Sequence, residues 1–369
     1  MLRESFAGLT DPRQDGKVKH NLLEIVVMTI CAVIAGCDVW EDIVDFCRVK
    51  EEWYKGTLGM KLENGIPSHD TMERVWGMIL PGEFGRCFRL WVATVCKETK
   101  GEIISIDGKT SRGSGSGGQS PLHMVSAWAH EQQLVLGQVS TDEKSNEITA
   151  VPNLLEVLDV AGCIVTADAM SCQKEIARKL REKEAEYVIG LKDNQPTLRR
   201  DAEDYLRDAL CNEHFYPKIQ HVQTSEKGHG RIEIRDYYLA TDLTWLDGRE
   251  QWSGLSGLGM VHTKVVKGED VTQEDRFYIT SLTSVDPFAK AVRAHWGIEN
   301  SLHWCLDMTF HEDYSRIRKD HSAENMAVVR HLALDILKQY PEKISLARKR
   351  RRCSYDDAFL ANVLRSLHA

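Results

Sequence analysis

Apolar residues in the first hundred positions recur at intervals of three and four, the spacing of helices that bury one face. The pattern is clearest at Leu22, Leu23, Ile25, Val26, Ile30, Val33 and Ile34. A further helix is predicted between Pro67 and Trp76, where Ser68 or Asp70 can cap the first turn. We therefore expect an N-terminal helical domain over residues 1–100. The pattern leaves open whether this domain is a plain helical bundle or a helix-turn-helix that binds DNA.

The pattern changes to that of strands after residue 101. IISID, HMVSAWA and QLVLGQVS are short apolar stretches separated by polar turns, which predicts a three-stranded meander. Helical spacing over Glu147 to Val160 and Gln173 to Lys183 then alternates with the apolar stretches CIVTADA and YVIGLK. Antiparallel strands followed by alternating strands and helices indicate an α/β fold, with a mixed sheet flanked by helices.

A second group of strands interrupts this alternation. Residues 215–284 contain three further strand-like stretches and predict a β-rich insertion. The chain is helical again afterwards, and ARKRRR lies near its end. Five regions are expected: a helical domain at 1–100, a first part of the α/β core at 101–214, the insertion at 215–284, a second part of the core at 285–340, and a basic C-terminal segment at 341–369.

The overall charge limits how the chain can bind nucleic acid. Its 369 residues carry a formal net charge of −8, which excludes a protein that coats DNA through bulk positive charge. Contact with DNA would have to be local. Residues 341–352 hold six basic residues against one acid and are the best local candidate, with Arg350 and Arg351 at their centre. The alternative is a solvated basic tail.

The cysteines and the apolar stretches bear on the compartment. Ten cysteines are scattered without a CxxC pair, a pattern typical of reduced thiols in a cytosolic protein. The longest apolar stretch, Ile25 to Gly36, is too short to cross a bilayer, and no secretion signal opens the chain. We expect a cytoplasmic protein, associated with the nucleoid if it binds DNA, and no membrane partner.

Two aspartates stand where predicted strands end. Asp107 closes IISID and Asp168 closes IVTAD. A carboxylate at the end of a buried strand needs a cation, hydrogen bonds or exposure at the rim of the sheet. If such carboxylates meet, they can hold Mg²⁺ for displacement at a phosphodiester. The alternative is that each aspartate only forms a turn.

A third acid would have to come from a distant segment. Glu299, in HWGIEN, lies in a predicted helix whose neighbours Trp296, Leu302 and Trp304 are expected to fix it on the sheet. Spacing alone does not separate Glu299 from Glu312 and Asp313, or from a solvated helix glutamate.

Five sequence blocks together resemble the DDE transposases of bacterial insertion sequences, and most of all the H-repeat-associated group. The early segments DPRQDGKVKHNLLEI and GIPSHDTMERV fit the same resemblance, which covers nearly the whole chain. The five blocks are ISIDGKT (Ile104 to Thr110), TDEKSNEITA (Thr141 to Ala150), TADAMSCQK (Thr166 to Lys174), GHGRIEIR (Gly228 to Arg235) and HWGIENSLHWCLD (His295 to Asp307).

The resemblance implies an RNase H-like fold and a DNA transposase. It implies that Asp107, Asp168 and Glu299 are catalytic and bind two Mg²⁺ or Mn²⁺ ions. The implied reactions are phosphodiester hydrolysis at the inverted-repeat ends of the element and strand transfer into target DNA. A homodimer on DNA is implied as well, because two ends are cut in one complex.

One helix departs from the wider pattern of these transposases. Related enzymes often carry a tyrosine and an arginine before the glutamate and a lysine after it, whereas this chain has Val292, His295 and Leu306 there. These departures support an alternative function, a catalytically inactive, transposase-derived protein that only binds DNA. A nuclease without the joining step is a third candidate.

Eight residues are weaker candidates for DNA contact. Each has a structural alternative, such as a solvated charge, a turn or a packed side chain. His295 would donate to a phosphate if it were protonated. The candidates are Lys109, Lys144, His229, Arg231, Arg293, His295, Arg350 and Arg351.

Overall fold

The N-terminal part is helical, as predicted. The structure, a computed structural model, describes residues 2–115, 120–141, 147–211, 219–228 and 230–365. The Ser68 side chain accepts a hydrogen bond from the Thr71 amide and caps the fifth helix, so one of the two predicted caps is present. The helices are α1 (Leu2–Phe6), α2 (Leu22–Ile34), α3 (Trp40–Val49), α4 (Glu51–Leu58), α5 (His69–Met78) and α6 (Pro81–Val95).

Nine strands among the described residues form one mixed sheet. They are β1 (Ile103–Ser111), β2 (Leu122–Ala129), β3 (Leu134–Ser140), β4 (Ile164–Ala167), β5 (Glu186–Leu191), β6 (Ile219–Gly228), β7 (Arg231–Ala240), β8 (Gly257–Lys267) and β9 (Asp270–Thr280). The order is β3-β2-β1-β4-β5-β9-β8-β7-β6. β4 is parallel to both β1 and β5, and the other neighbours are antiparallel. The strands of the β-rich insertion thus continue the sheet of the core.

Eight further helices among the residues that the structure describes follow the first three strands. α10 leads into a single π-helical turn, Glu299–His303, which continues directly into α11. The helices are α7 (Glu147–Val157), α8 (Lys174–Glu182), α9 (Pro196–Cys211), α10 (Val285–Ile298), α11 (Trp304–Met308), α12 (Ser322–Gln339), α13 (Leu346–Tyr355) and α14 (Asp357–Arg365).

The two faces of β1 pack against different helices. Successive side chains of a strand point to opposite faces, so Ile104 and Ile106 lie on one face and Ile103 on the other. Ile104 and Ile106 belong to the large core, which includes α7. Ile103 packs in a separate cluster with Phe288 and Val292 of α10. Residues of β1 with odd numbers therefore face α10.

Helix α12 joins the N-terminal helices to the sheet. It contacts α2, α5 and α6 as well as β3. Most of its side chains are buried, including Asp335, whose carboxylate accepts a hydrogen bond from the Val135 amide. The sheet and the N-terminal helices therefore share one continuous core.

The predicted fold class is confirmed: a mixed sheet with flanking helices follows an N-terminal helical region. All ten cysteines are free, as expected for reduced thiols. In the described ranges, none of the helices combines the length and the apolar character that crossing a membrane requires.

Candidate functional site

Strands β1 and β4 bring the two aspartates together. Asp168 directly follows β4, as predicted, but the prediction that Asp107 ends its strand was wrong, because β1 continues to Ser111. Ser105 pairs with Thr166 in parallel register, and Asp107 and Asp168 each follow two residues later. Since side chains two residues apart share a face, both carboxylates lie on the face that α10 covers. Asp168 ends its strand and caps a short 3-10 turn, where it accepts a hydrogen bond of 3.3 Å from the Ser171 amide.

The π-helical turn brings a third acid and a histidine to Asp107. The Nδ1 atom of His303 lies 3.4 Å from a carboxylate oxygen of Glu299 and 3.7 Å from one of Asp107. His303 is buried, and its Nε2 atom has no hydrogen-bond partner within the described part of the chain. Isolated π turns within α-helices occur frequently at functional sites.

These side chains fit a divalent cation. Asp107, Glu299 and His303 each offer one ligand atom, and the three atoms lie within 4.8 Å of one another. Carboxylate oxygens are the preferred ligands of Mg²⁺ and Mn²⁺, and an imidazole nitrogen binds transition metals. Asp168 lines the same cavity as Asp107 and Glu299 and can supply a further oxygen.

An open cavity of about 360 Å³ lies over the three acids. The rest of its wall is mixed, with basic, aromatic, aliphatic and further acidic side chains, the last being Glu274 and Asp275. The Arg276 guanidinium stacks on the Trp296 ring, 4.1 Å from its centre, and Trp296 remains partly exposed. The other basic side chains of the wall are Lys192 and Arg199. The acids can bind metal cations, and the basic side chains can bind a negatively charged ligand that contacts those cations.

Burial raises the pKa of Asp107 to about 7. The Gly108 amide, which donates a 2.9 Å hydrogen bond to Asp107, opposes this rise, and the charges of Glu299, Glu147 and Asp168 add to it. Burial raises the pKa of Asp168 too, and Glu147 contributes next. A bound cation would reverse these effects, because it favours the charged form of each carboxylate.

Glu147 is a further carboxylate near the two aspartates. It begins α7, and one of its carboxylate oxygens lies 2.9 Å from the Nε2 atom of His123, while Nδ1 of that ring lies 2.8 Å from the Thr110 hydroxyl. Gly108 makes room for this pair, since a β-carbon there would collide with both Glu147 and His123. The pair is therefore held in a fixed place beside Asp107.

Two predicted DNA contacts do not fit the structure. Lys109 is mostly buried and lies 2.7 Å from a carboxylate oxygen of Asp307, with Glu312 and Asp313 within 3.7 Å. Arg350 is buried, donates to the carbonyl oxygens of Val33 and Thr309, and pairs with Asp38. Neither side chain is free for a phosphate, because each already neutralises protein groups. The predicted basic tail is likewise the helix α13, which packs on α2.

The remaining DNA candidates differ in exposure. Arg293 forms two hydrogen bonds of 2.9 and 2.8 Å to Glu226 of the insertion, and Arg231 pairs with Glu233. Arg351 is exposed on α13. Burial lowers the pKa of His295 to about 4, so a protonated His295 at neutral pH is not supported. Lys144 and His229 lie outside the described residues.

Sequence reasoning missed several residues of this site. His303 follows Glu299 by four positions, a spacing that puts both on one helical face. Lys192 directly follows β5, at the carboxyl end of a strand parallel to β4, where ligands of such sheets commonly bind. Arg199, Arg276 and Glu147 gave no comparable signal, since only the folded chain brings them to the cavity.

The expected support of the Glu299 helix was partly wrong. Leu302 is buried, but Trp296 and Trp304 are exposed by 43% and 57% and do not fix the helix on the sheet. Phe288, Ala291 and Val292 pack there instead. Val292, one of the departures from the wider pattern, is thus a core residue.

Comparison with known proteins gives consistent matches along the chain. Residues 98–336 match the transposase DDE domain family, and residues 3–92 match the DDE_Tnp_1-associated family. The transposase-named protein YncI of Escherichia coli O157:H7 is 41% identical over 99% of this chain and 94% of its own length. The H repeat-associated protein YhhI of Escherichia coli strain K12 is 39% identical over 98% of this chain and 97% of its own length.

Proposed function

This chain belongs to the transposase DDE domain family, and from that premise we propose that it is an active DNA transposase. It would hydrolyse phosphodiester bonds at the inverted-repeat ends of an element and join the freed ends to target DNA. The observation that carries the proposal is the meeting of Asp107, Asp168 and Glu299, distant in sequence, in one cavity. If the three acids had only separate structural roles, they would not need to lie in one cavity.

Asp107, Asp168 and Glu299 would hold two Mg²⁺ or Mn²⁺ ions, with His303 as an additional donor. When bound, such ions make a water or a 3′ hydroxyl a better nucleophile and stabilise the leaving oxygen. The hydrogen bonds to Asp107 from Gly108 and to Asp168 from Ser171 each leave carboxylate oxygens free for a ligand.

The basic rim would bind the DNA backbone. Lys192, Arg199 and Arg276 line the cavity, and guanidinium groups suit phosphate oxygens. Arg199 and Arg276 also pair with Glu203 and Glu274, so Lys192 is the one of the three without an ion pair among the described residues. This local arrangement explains how a chain of net charge −8 can bind DNA. Two DNA ends have to be cut together, and we propose that two copies of the chain assemble on them.

The test is cleavage of a supercoiled plasmid that carries the flanking inverted repeats of the gene. We expect Mg²⁺- or Mn²⁺-dependent nicking at the repeat ends, followed by a strand-transfer product. Asp107→Asn, Asp168→Asn and Glu299→Gln should each abolish both products. Glu312→Gln is the matched control, because Glu312 belongs to a different cluster of charges and should leave cleavage intact if the variant is folded.

The rival functions predict different results. An inactive DNA-binding protein would bind the repeat ends without cutting them under either ion. A nuclease without the joining step would nick DNA but give no strand-transfer product. Equal cleavage by the wild type and the three carboxylate variants would contradict the proposed site.

A further inference from the structure

Four side chains, two buried and two partly buried, form a continuous hydrogen-bonded network beneath the carboxylates. The Nε2 atom of His130 lies 2.8 Å from the Ser105 hydroxyl, and that hydroxyl lies 2.7 Å from the Thr166 hydroxyl. The Thr166 hydroxyl lies 3.0 Å from Nδ1 of His295. Ser105 and Thr166 are fully buried. We call this set the sheet-to-helix network.

The network is the second of three successive contact levels between the sheet and α10. At the first level, Ile103 of β1 packs in the same apolar cluster as Val292 of α10. At the second level, Ser105 and Thr166 meet His295. Asp107, with Asp168 beside it, stands at the third level.

The distance between successive levels is nearly the same along the strand and along the helix. Two residues of a strand advance by about 6.6 Å and four residues of a helix by about 6 Å. A step from Ser105 to Asp107 therefore matches a step from His295 to Glu299. If His295 is fixed at the second level, Glu299 arrives at the third level, beside Asp107.

Apolar packing alone defines this alignment poorly. Apolar contacts are not directional, and Trp296, on the turn between His295 and Glu299, is exposed. A hydrogen bond is directional, and shifting α10 by one residue would break the bond between the Thr166 hydroxyl and the His295 ring, leaving Thr166 with Ser105 alone. Gly297 adds to the fit, because its missing side chain lets the His130 ring lie against the helix.

We propose that the sheet-to-helix network is a positioning device, which fixes where α10 lies along β1 and β4 and thereby brings Glu299 to Asp107. His295, Thr166, Ser105 and His130 act as positioning residues and do not bind the reacting atoms in this role. The inference rests on the proposed function, in that Glu299 is taken as a metal ligand.

Thr166→Val tests the inference, with Thr166→Ser as the matched control. Valine keeps the shape of the side chain but removes the hydroxyl, whereas serine keeps the hydroxyl. Two measurements on the full chain are needed: Mn²⁺ affinity from the electron paramagnetic resonance signal of free Mn²⁺, and amide hydrogen exchange over residues 292–303. We expect Thr166→Val to weaken Mn²⁺ binding about tenfold, as for other groups that orient metal ligands, and to speed amide exchange there.

Thr166→Ser should remain within about twofold of the wild type in both measurements, because the hydrogen bonds to Ser105 and His295 are retained. Ser105→Ala is the second variant. It breaks the link to His130 but keeps the bond between Thr166 and His295, so its effects should have the same direction and be smaller. It also keeps the test valid if Thr166→Val does not fold.

Two results would overturn the inference. One is wild-type Mn²⁺ affinity in a folded Thr166→Val or, should that variant not fold, in Ser105→Ala. The other is unchanged exchange over residues 292–303 in the same variant. If the wild-type chain itself binds no Mn²⁺, the proposed metal site is overturned instead, and amide exchange alone decides whether the network positions α10.

Discussion

Two groups of acidic side chains lie at β1, and they differ in whether lysine and arginine side chains neutralise their charge. Asp107, Asp168 and Glu299 form the first, here called the carboxylate site. Within the described ranges, no lysine or arginine forms an ion pair with any of them. Asp307, Glu312 and Asp313 form the second, the ion-pair cluster, in which Lys109 contacts all three acids and Arg330 lies 3.7 Å from Glu312.

The difference separates a structural cluster from a binding site. Lys109 follows Asp107 by two residues on β1, so one strand face carries both groups. In the ion-pair cluster the chain supplies its own cations, and the charges are satisfied on folding. In the carboxylate site it supplies acids and only a histidine. Burial raises the pKa of Asp107 and Asp168, as it also does for Glu312, so the ion pairs and not the pKa shifts distinguish the two groups. An added metal cation should therefore stabilise the carboxylate site and not the ion-pair cluster.

Asp107→Asn should produce the largest effect and should separate activity from stability. We expect cleavage to fall at least about 10³-fold, the scale of losing several kcal/mol of metal-ion catalysis. The metal-free variant should nevertheless melt at a higher temperature than the metal-free wild type, because asparagine removes a buried repulsive charge. Cleavage assays and thermal melts with and without Mn²⁺ give both quantities.

Asp307→Asn is the matched control in the ion-pair cluster. It removes an acid that lies 2.7 Å from Lys109, so the melting temperature should fall and stabilisation by Mn²⁺ should persist. If Asp107→Asn and Asp307→Asn shifted the melting temperature in the same direction, the distinction between the two groups would be lost.

Lys109→Met tests the same comparison by changing the cation of the ion-pair cluster instead of an acid. It removes the central cation of the ion-pair cluster and leaves Asp307 with no cation at that position. Removing one partner of a buried ion pair costs about 3 to 5 kcal/mol, and we expect a loss of the free energy of unfolding near the lower end. Urea denaturation measures it. Lys192→Met, at the exposed rim, should change stability by less than about 0.5 kcal/mol; equal losses would contradict a buried, structural Lys109.

The pH dependence of stability tests the raised pKa of Asp107 in the carboxylate site. Since the pKa of Asp107 is raised to about 7 on folding, the folded chain holds a proton there that the unfolded chain has released. The stability of the metal-free chain should therefore fall as pH rises from about 4 to about 7, and this contribution should level off above pH 7. Thermal melts of the wild type and Asp107→Asn across this range should converge at low pH and separate towards neutrality. Parallel curves would contradict a raised pKa.

The sequence predicted much of the fold and part of the site, for identifiable reasons. Hydrophobic spacing located the N-terminal helices and the strands before and within the insertion, because most of these elements bury at least one face. The sequence also indicated Asp107 and Asp168, since a charge next to a buried apolar stretch needs a partner, although only Asp168 stands at the end of its strand. Spacing did not select Glu299, and the resemblance to a family did.

The rest could not be predicted because it depends on contacts between distant segments. Lys109 was expected to contact DNA, yet it pairs with acids about 200 residues later in the chain. Arg350 was expected on the surface, yet it satisfies carbonyl oxygens of α2 and of the segment after α11. A basic side chain looks the same in a sequence whether its partner is a phosphate or a buried carbonyl.

Gly108→Ala should give the smallest effect and tests whether the geometry around the carboxylate site matters beyond its charges. A β-carbon at this position would collide with Glu147 and His123, so their pair or the backbone of β1 must shift. Either shift changes the distance between the charge of Glu147 and Asp107, and a shifted backbone misplaces the Asp107 carboxylate. We expect cleavage to fall about tenfold and stability by about 1 kcal/mol, the scale of overpacking a tight site.

Gly228→Ala in β6 is the matched control, because a β-carbon there meets nothing within 4 Å. It should leave cleavage unchanged. If Gly108→Ala also cleaved DNA like the wild type, Glu147 would lie near Asp107 without contributing to the site. In that case charge balance alone would account for the difference between the carboxylate site and the ion-pair cluster. A tenfold loss confined to Gly108→Ala would instead show that the position of the carboxylates, as well as their uncompensated charge, distinguishes the two.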